Sequence, residues 1–198
     1  MDDLSTNIGR TLSGMPGELM IWLSPAFPVG GFAYSQGLET AVANAWVSDK
    51  DTLTDWLRCV IMHGALRNDL ILLALILRAR SEPELAELQD LSAALQPSAE
   101  RAKEASDQGR SFWAAYQAAW APGNNSQAVD RGAMTLGAMT LEPMTLTAAV
   151  GIAARDYEME TTAVLEAFAL AFVGNQISAA IRLGAVGQFD GQRITADL

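Results

Sequence analysis

The feature that most constrains this fold is a long stretch of apolar residues that repeats with the period of an α-helix. Between residues 165 and 181, apolar side chains recur at intervals of three and four residues over roughly four turns. They are Leu165, Phe168, Ala169, Phe172, Val173, Ile177, Ala180 and Ile181. This spacing predicts a helix with one buried face. No segment alternates apolar and polar residues for long enough to indicate a sheet, so we predict an all-α protein.

Two shorter segments also have the pattern of helices. Leu53 to Ile61 repeats the spacing of a single buried face. Leu70 to Leu77 is apolar on every side and rich in leucine, which favours a helix at the centre of a bundle over a strand. We expect residues 1–17 to form a flexible N-terminal arm and residues 18–198 to form one helical bundle with short Pro/Gly-rich connections.

Serine and proline mark the helix boundaries. Ser81 and Glu84, three residues apart, resemble a capping box, in which each side chain accepts a hydrogen bond from a free backbone N–H. Pro97 and Pro143 can each open a helix, and the Pro-Gly-Asn-Asn sequence at 122–125 breaks the chain.

The charge balance disfavours several classes of partner. The 198 residues include 13 basic and 23 acidic ones, a formal net charge of −10. Such a surface repels nucleic acid and anionic membranes, so we expect neither as a partner. Asp2 and Asp3 stand where a signal peptide would be positive, and the single cysteine fits a reducing compartment. We therefore predict a cytoplasmic protein.

One pair of residues has side chains that could take part in catalysis or metal binding. Cys59 and His63 are four residues apart, so a helix would place them on one face, close to an apolar stripe that we expect to be packed. Two ligands are too few for a stable zinc site. The sequence contains no P-loop. We predict neither a catalytic site nor a metal site or cofactor. A small helical enzyme using Cys59 and His63, or a bundle that binds an apolar ligand, remains an alternative.

A tandem Met-Thr-Leu pattern begins at Met134, Met139 and Met144. Its five-residue spacing matches no solenoid repeat. We interpret it as a duplicated apolar segment that fills the core, with an adaptable methionine-rich contact surface as the alternative.

The most unusual segment is residues 24–39, Ser-Pro-Ala-Phe-Pro-Val-Gly-Gly-Phe-Ala-Tyr-Ser-Gln-Gly-Leu-Glu. Its prolines and paired glycines enforce an irregular backbone, and Gly30 or Gly31 is a candidate for positive φ. Aromatic and polar side chains are unusually dense around that backbone. On this pattern alone, a contact surface and a structural corner are equally good interpretations.

This segment resembles the signature of the urease accessory protein UreF family. Three further stretches agree in order and spacing: Arg67-Asn68-Asp69-Leu70, Gln108-Gly109-Arg110, and residues 178–188, Ser-Ala-Ala-Ile-Arg-Leu-Gly-Ala-Val-Gly-Gln. The resemblance covers about residues 18–195. It departs at Leu141-Glu142-Pro143, where the family usually has a histidine shortly before the proline.

The resemblance implies an all-helical, non-enzymatic factor for assembly of the urease nickel centre. Such proteins form homodimers and bind the accessory protein called UreD or UreH. That complex recruits the GTPase UreG and docks on apo-urease. Their proposed roles are scaffold, regulator of GTP hydrolysis and checkpoint for metal delivery.

Carried over onto this chain, the resemblance nominates residues from its first and last motifs. The expected partner-binding residues are Tyr34, Ser35, Gln36, Glu39, Arg182 and Gln188. The residues expected to shape the backbone of the two motifs are Pro28, Gly30, Gly184 and Gly187. Simpler roles also fit: Tyr34 can bond internally, Glu39 can pair with an arginine or sit near a helix start, and Arg182 can stabilise a helix C-terminus.

Overall fold

A computed structural model describes residues 16–31, 34–121 and 144–198. Within these ranges the chain forms nine α-helices and no strand, which confirms the all-α prediction. The helices are α1 Gly17–Trp22, α2 Leu38–Ala43, α3 Lys50–His63, α4 Ala65–Arg78, α5 Glu82–Ala94, α6 Ala99–Ala119, α7 Leu146–Asp156, α8 Thr161–Arg182 and α9 Gln188–Asp197. The predicted N-terminal arm lies almost entirely outside the described residues.

Side-chain caps fix several of the helix starts. Ser81 caps α5 and accepts from the backbone N–H of Glu84, as predicted. The Glu84 carboxylate, however, accepts from the backbone N–H of Arg80, one residue before the position that a capping box requires. Helix α7 begins later than Pro143 indicated, because Thr145 supplies the cap by accepting from the N–H of Ala148.

The main core is built around α7, which packs against both α4 and α6. Every residue of α7 from Thr147 to Ala154 is buried. The close approach to α6 depends on Gly109: a Cβ at that position would lie 2.3 Å from the carbonyl oxygen of Met144 and 2.5 Å from the carbonyl carbon of Thr145. Only a glycine leaves room for the start of α7 there.

Trp22 is the aromatic centre of this core. Its indole meets the rings of Phe112, Tyr116, Trp120 and Tyr157 edge-on, with centroid separations of 5.1–6.0 Å. Edge-to-face geometry is a favourable arrangement for aromatic pairs, so the single indole ties α1 to α6 and to the end of α7.

A second, smaller core joins α8 to α2, α3 and α9. Leu53 and Leu57 of α3 are fully buried in it, as the apolar spacing predicted, and Ile177 and Ala180 of α8 pack beside them. Since α8 also contributes Val164 and Phe168 to the main core, this helix joins the two cores into one bundle.

Helix α4 differs from the prediction of an all-round buried helix. Leu73 and Ile76 are buried, but Ile71 is 45% exposed and Leu75 is 44% exposed. Helices α3, α5, α7 and α8 pack against α4 but leave the apolar stripe of Ile71 and Leu75 uncovered.

Among the described helices, α8 alone is long and apolar enough to cross a membrane by itself. The pair α3 and α4 passes the same test only if counted together, and the two are bent by 41° at Gly64. Helix α8 lies against α1, α2, α3, α4 and α9, which is the position of a core helix in a bundle.

The third Met-Thr-Leu unit is the only one of the three within the described residues. Met144 and Thr145 are both buried, and the Thr145 hydroxyl lies 2.6 Å from that of Ser92. This unit therefore fills core space, as the first interpretation of the pattern proposed. The units beginning at Met134 and Met139, and the Leu141-Glu142-Pro143 departure, lie outside the described residues.

Candidate functional site

The first motif forms a corner between α1 and α2. Short hydrogen bonds fold it: Phe27 N–H donates to the Ser24 carbonyl at 3.1 Å, and Val29 N–H donates to the Phe27 carbonyl at 2.8 Å. Phe27 is buried and packs on Phe112 at 5.1 Å between centroids. Gly30 has φ +70°, which confirms the prediction of a positive φ at this turn.

The corner ends in two consecutive left-handed residues. Gln36 has φ +51° and Gly37 has φ +88° immediately before α2 begins at Leu38. A left-handed glutamine costs about 1–2 kcal/mol, so other contacts must hold it there. One such contact is the Gln36 Nε2 group, which donates to Glu104 Oε1 of α6 at 3.3 Å.

The predicted residues of the first motif divide into two groups. Tyr34, Gln36, Pro28 and Gly30 line a cavity beneath the corner. Ser35 and Glu39 do not. The Ser35 hydroxyl accepts from the Glu39 N–H at 3.4 Å, and the Glu39 side chain is exposed in the first turn of α2, which agrees with the second of its two simpler interpretations.

The cavity has a volume of about 280 Å³ and lies between the corner, α4, α6, α7 and α8. Its walls are largely aromatic and aliphatic, and most of its polar groups come from the helices, with Tyr34 and Gln36 from the corner. The polar and charged residues that line it outside the corner are Asp69, Gln96, Arg101, Glu104, Gln108, Thr147, Asn175 and Gln176, of which Gln96 lies in the connection between α5 and α6 and the others lie on helices. Asp69 and Gln108 belong to the two middle motifs, so three of the four motifs meet here.

Glu104 organises the polar side of the cavity. Although charged, it is only 4% exposed. Its Oε1 accepts from Gln36 and from Gln108, the latter at 3.2 Å, and its Oε2 pairs with the guanidinium of Arg101 one turn earlier. These bonds satisfy the buried carboxylate and attach the corner to α6.

Asp69 is the second carboxylate of the cavity. Its Oδ1 accepts from the Thr147 hydroxyl at 3.0 Å, which links α4 to α7. Burial raises the pKa of Asp69, while the Thr147 hydrogen bond and the positive charge of Arg101 act in the opposite direction. No salt bridge to Asp69 occurs in the described part of the chain.

The last motif forms a second corner, between α8 and α9. Gly184 has φ +77° and permits the sharp end of α8, as predicted. Gly187 has φ −88° and precedes α9 as its N-cap, so it needs no left-handed freedom. Arg182 is exposed in the last turn of α8, where its charge suits the helix dipole, and donates to Ser178 Oγ at 3.1 Å. Gln188, also exposed, is the first residue of α9.

The two corners are separate features of the surface. Arg182 lies six residues beyond Gln176 along α8, a rise of about 9 Å, and does not line the cavity. At the α8–α9 corner, Phe189 stands beside Gln188 and is 83% exposed, more than any other large apolar residue described. The structure therefore groups the predicted residues into a cavity corner and a helix-end corner.

Cys59 and His63 are placed differently from the prediction. Both are exposed on α3 rather than packed beside its apolar stripe, because the buried face of α3 consists of Leu53 and Leu57. Within residues 16–31, 34–121 and 144–198, no group of three or more His, Cys, Asp or Glu side chains is placed so that it could hold a metal ion. His63 lines a second cavity of about 260 Å³, which shares Asp69 and Gln96 with the first.

Sequence reasoning missed the helix residues that supply the polar groups of the cavity. Arg101, Glu104 and Gln108 follow an i, i+3, i+7 spacing and so share a face of α6. This spacing is visible in the sequence, but charged and polar residues that share one helix face usually lie in solvent rather than in a cavity. Gln176 stands within an apolar helix, where a polar residue is a recognisable exception.

These features define an all-helical protein with two glycine-containing corners and a polar cavity that draws on three separate sequence motifs. The chain belongs to the UreF family, since the family model described as UreF matches residues 47–198. It is 44% identical over 184 residues to the urease accessory protein UreF of Methylobacterium radiotolerans, an alignment that covers 91% of this chain and 77% of that protein. The proteins of the same name from Rhodopseudomonas palustris and Xanthobacter autotrophicus are 44% and 42% identical, with coverage of 91% of this chain and 74% and 72% of theirs.

Proposed function

We propose that this chain is a non-enzymatic adaptor for insertion of nickel into apo-urease. In this role it binds a UreD/UreH-type accessory protein, and the pair recruits a UreG-type GTPase and docks on apo-urease in the cytoplasm. Nickel is the cargo of the complex, and the chain regulates GTP hydrolysis by the GTPase. The observation that carries the proposal is membership of the UreF family, in which relatives covering 91% of the chain are named urease accessory proteins.

The α8–α9 corner supports a role in binding proteins. Aromatic and arginine side chains are enriched among the residues that dominate interface energies. Here Phe189 and Arg182 are both exposed, on a turn fixed by Gly184. A largely exposed phenylalanine gains most of its burial energy only when a partner covers it.

The open apolar stripe of α4 supports a homodimer. Ile71 and Leu75 are one turn apart on the same face, and Met20 and Ile21 of α1 and Leu170 of α8 are also exposed. Helix α8 contacts both α1 and α4, which makes these positions candidates for one continuous surface. A second copy is a suitable cover, since homodimer interfaces are richer in apolar area than ordinary surfaces.

The binding test uses the two corners separately. A tagged chain is co-expressed with the UreD/UreH-type protein and the GTPase, and the retained partners are quantified. We expect Phe189→Ser together with Arg182→Ala to weaken the binding of one of the two partners by about thirtyfold, which is the effect of losing one strong interface residue. Tyr34→Phe together with Glu39→Gln tests the first corner.

The matched control is Glu166→Gln, which changes an exposed residue of α8 away from both corners. This variant should retain both partners at the unmodified level. Full retention of every partner by both corner variants, with folded protein by circular dichroism, would contradict the assignment of the corners as partner-binding surfaces.

A further inference from the structure

The cavity under the first corner contains buried hydrogen-bond acceptors without donors. Gln176 is 3% exposed and lines the cavity, and its Oε1 has no hydrogen-bond partner in the part of the chain that the structure describes. Gln96 Nε2 donates to the Ser92 carbonyl at 3.1 Å, which fixes the amide orientation and leaves its buried Oε1 without a partner. The indole N–H of Trp22, which also lines the cavity, is a buried donor without a partner among the described residues, so unpaired acceptors outnumber unpaired donors by two to one. An unpaired buried acceptor costs roughly 1–3 kcal/mol, so the two acceptors favour an occupant that donates hydrogen bonds.

The net charge of the residues that line the cavity indicates the sign of the charge that its occupant carries. Its charged lining residues within the described ranges are Asp69, Glu104 and Arg101, which sum to one negative charge. Arg101 pairs with Glu104, whereas the Thr147 hydroxyl, which is neutral, is the only hydrogen-bond partner of the Asp69 side chain among the described residues. A single positive charge beside Asp69 would balance the cavity.

The size and walls limit the occupant to a side chain or a small ion. Ligand pockets typically measure roughly 300–1,000 Å³, and this cavity lies just below that range at about 280 Å³. Trp22, Phe27 and Phe172 line it, so an aliphatic stem can lie against apolar surface while its charged end reaches the acceptors.

We propose that the cavity binds the guanidinium group of an arginine side chain that a partner protein inserts beneath the corner. The group would donate to Asp69 and to the amide oxygens of Gln176 and Gln96. A guanidinium has five N–H donors in a planar fork and can serve acceptors on different helices at once, whereas an ammonium has three donors at one point. Its plane can also stack on an aromatic wall. This inference rests on the proposed adaptor function, because it supplies the partner.

The test measures binding of a blocked arginine, N-acetyl-arginine methylamide, to the intact chain by calorimetry and by the side-chain amide signals in NMR spectra. The blocked citrulline has nearly the same shape without the charge. We expect the arginine compound to bind and to shift the Gln36 and Gln176 amide signals, and the citrulline compound to bind at least about tenfold more weakly. Equal binding of the two, or no shift of these signals, would overturn the proposal.

Two substitutions locate the site. Asp69→Asn keeps the shape and the acceptor for Thr147, and Gln176→Met removes the orphaned oxygen; each should weaken arginine binding by about tenfold or more. The control Asp51→Asn makes the same change in net charge at an exposed position and should leave binding unaltered. Equal losses in Asp69→Asn and Asp51→Asn would mean that only overall charge matters and would refute the site.

A third ligand distinguishes the source of the group. Methylguanidine has the head without the stem, and we expect it to bind several-fold more weakly than blocked arginine, because the stem packs on the aromatic wall. Equal affinity would assign the cavity to a free guanidinium compound and contradict a partner's arginine. Because this experiment uses neither nickel nor urease, a negative result would overturn only the arginine site. The adaptor function is tested separately by the nickel content of urease.

Discussion

Replacing Gly109 by alanine tests how α6 and α7 fit together. A Cβ there would lie 2.3 Å from the Met144 oxygen and 2.8 Å from the Thr145 oxygen. Comfortable contacts involving carbon begin at about 3.5 Å, so the start of α7 would have to move by roughly 1 Å. Both contacts are with backbone atoms, which cannot turn aside as a flexible side chain can.

The expected cost combines two opposing effects. Overpacking of a core typically costs about 1–3 kcal/mol, and contact with backbone places this site near the upper end. Alanine is a better helix former than glycine by about 1 kcal/mol. We therefore expect Gly109→Ala to lower the free energy of unfolding by about 2 kcal/mol, which corresponds to a fall in Tm of about 4–8 °C for a chain of this size.

Two other glycines serve as controls within helices. Gly174 of α8 is exposed, and apart from its own helix backbone no described atom would lie within 4 Å of a Cβ at this position, so Gly174→Ala should raise stability by about 0.5–1 kcal/mol. Gly151 of α7 would meet the Ile76 side chain at 2.7 Å, which can shift, so Gly151→Ala should fall between the two.

The assay is urea unfolding followed by far-ultraviolet circular dichroism, at one fixed protein concentration because association shifts apparent stability. The expected order of stability is Gly174→Ala, then Gly151→Ala, then Gly109→Ala. A Gly109→Ala protein as stable as Gly174→Ala would refute the argument that the α6–α7 approach requires glycine.

Three further predictions concern stability. Trp22→Ala should cost about 3–5 kcal/mol in thermal unfolding, because it removes the ring on which four aromatic neighbours converge, and an unaltered Tm would contradict this. Thr145→Val should cost about 1–3 kcal/mol in urea unfolding by removing the α7 cap and orphaning the buried Ser92 hydroxyl, whereas Ser98→Ala at the exposed α6 cap should cost only about 1 kcal/mol. Burial raises the folded pKa of Asp69 above its ordinary value of 3.8, so the native state retains this proton to higher pH than the unfolded chain. The unmodified protein should therefore lose stability relative to Asp69→Asn as pH rises from 3.8 through the folded pKa. A stability of the unmodified protein that stays constant or rises relative to Asp69→Asn over that interval would contradict the assignment.

The helical architecture could be predicted because its signals are local. The apolar spacing around Phe172 and around Leu57 predicted α8 and α3, and Ser81 predicted the start of α5. The start of α7 was predicted from Pro143, but the structure uses Thr145, whose hydroxyl also bonds to Ser92 of α5. That choice depends on a contact between residues 53 positions apart, which sequence spacing does not reveal.

The candidate site could be predicted only in part, for a related reason. The positive φ at Gly30 follows from the prolines and glycines of one short segment, whereas Gln36 was nominated by the resemblance of that segment to the family signature. Glu104 and Gln176 become site residues only because α6 and α8 pack beneath that segment. The exposure of Cys59 was also unpredictable from spacing, since the apolar stripe of α3 turned out to be narrower than its sequence pattern.

The most direct test of the proposed function is the nickel content of urease produced with and without this chain. Urease is purified from otherwise identical cells, and nickel per active site is measured by mass spectrometry alongside urease activity. We predict that urease made without the chain contains little nickel and regains it when the unmodified chain is restored. Fully loaded, active urease in the absence of the chain would contradict its role in nickel insertion.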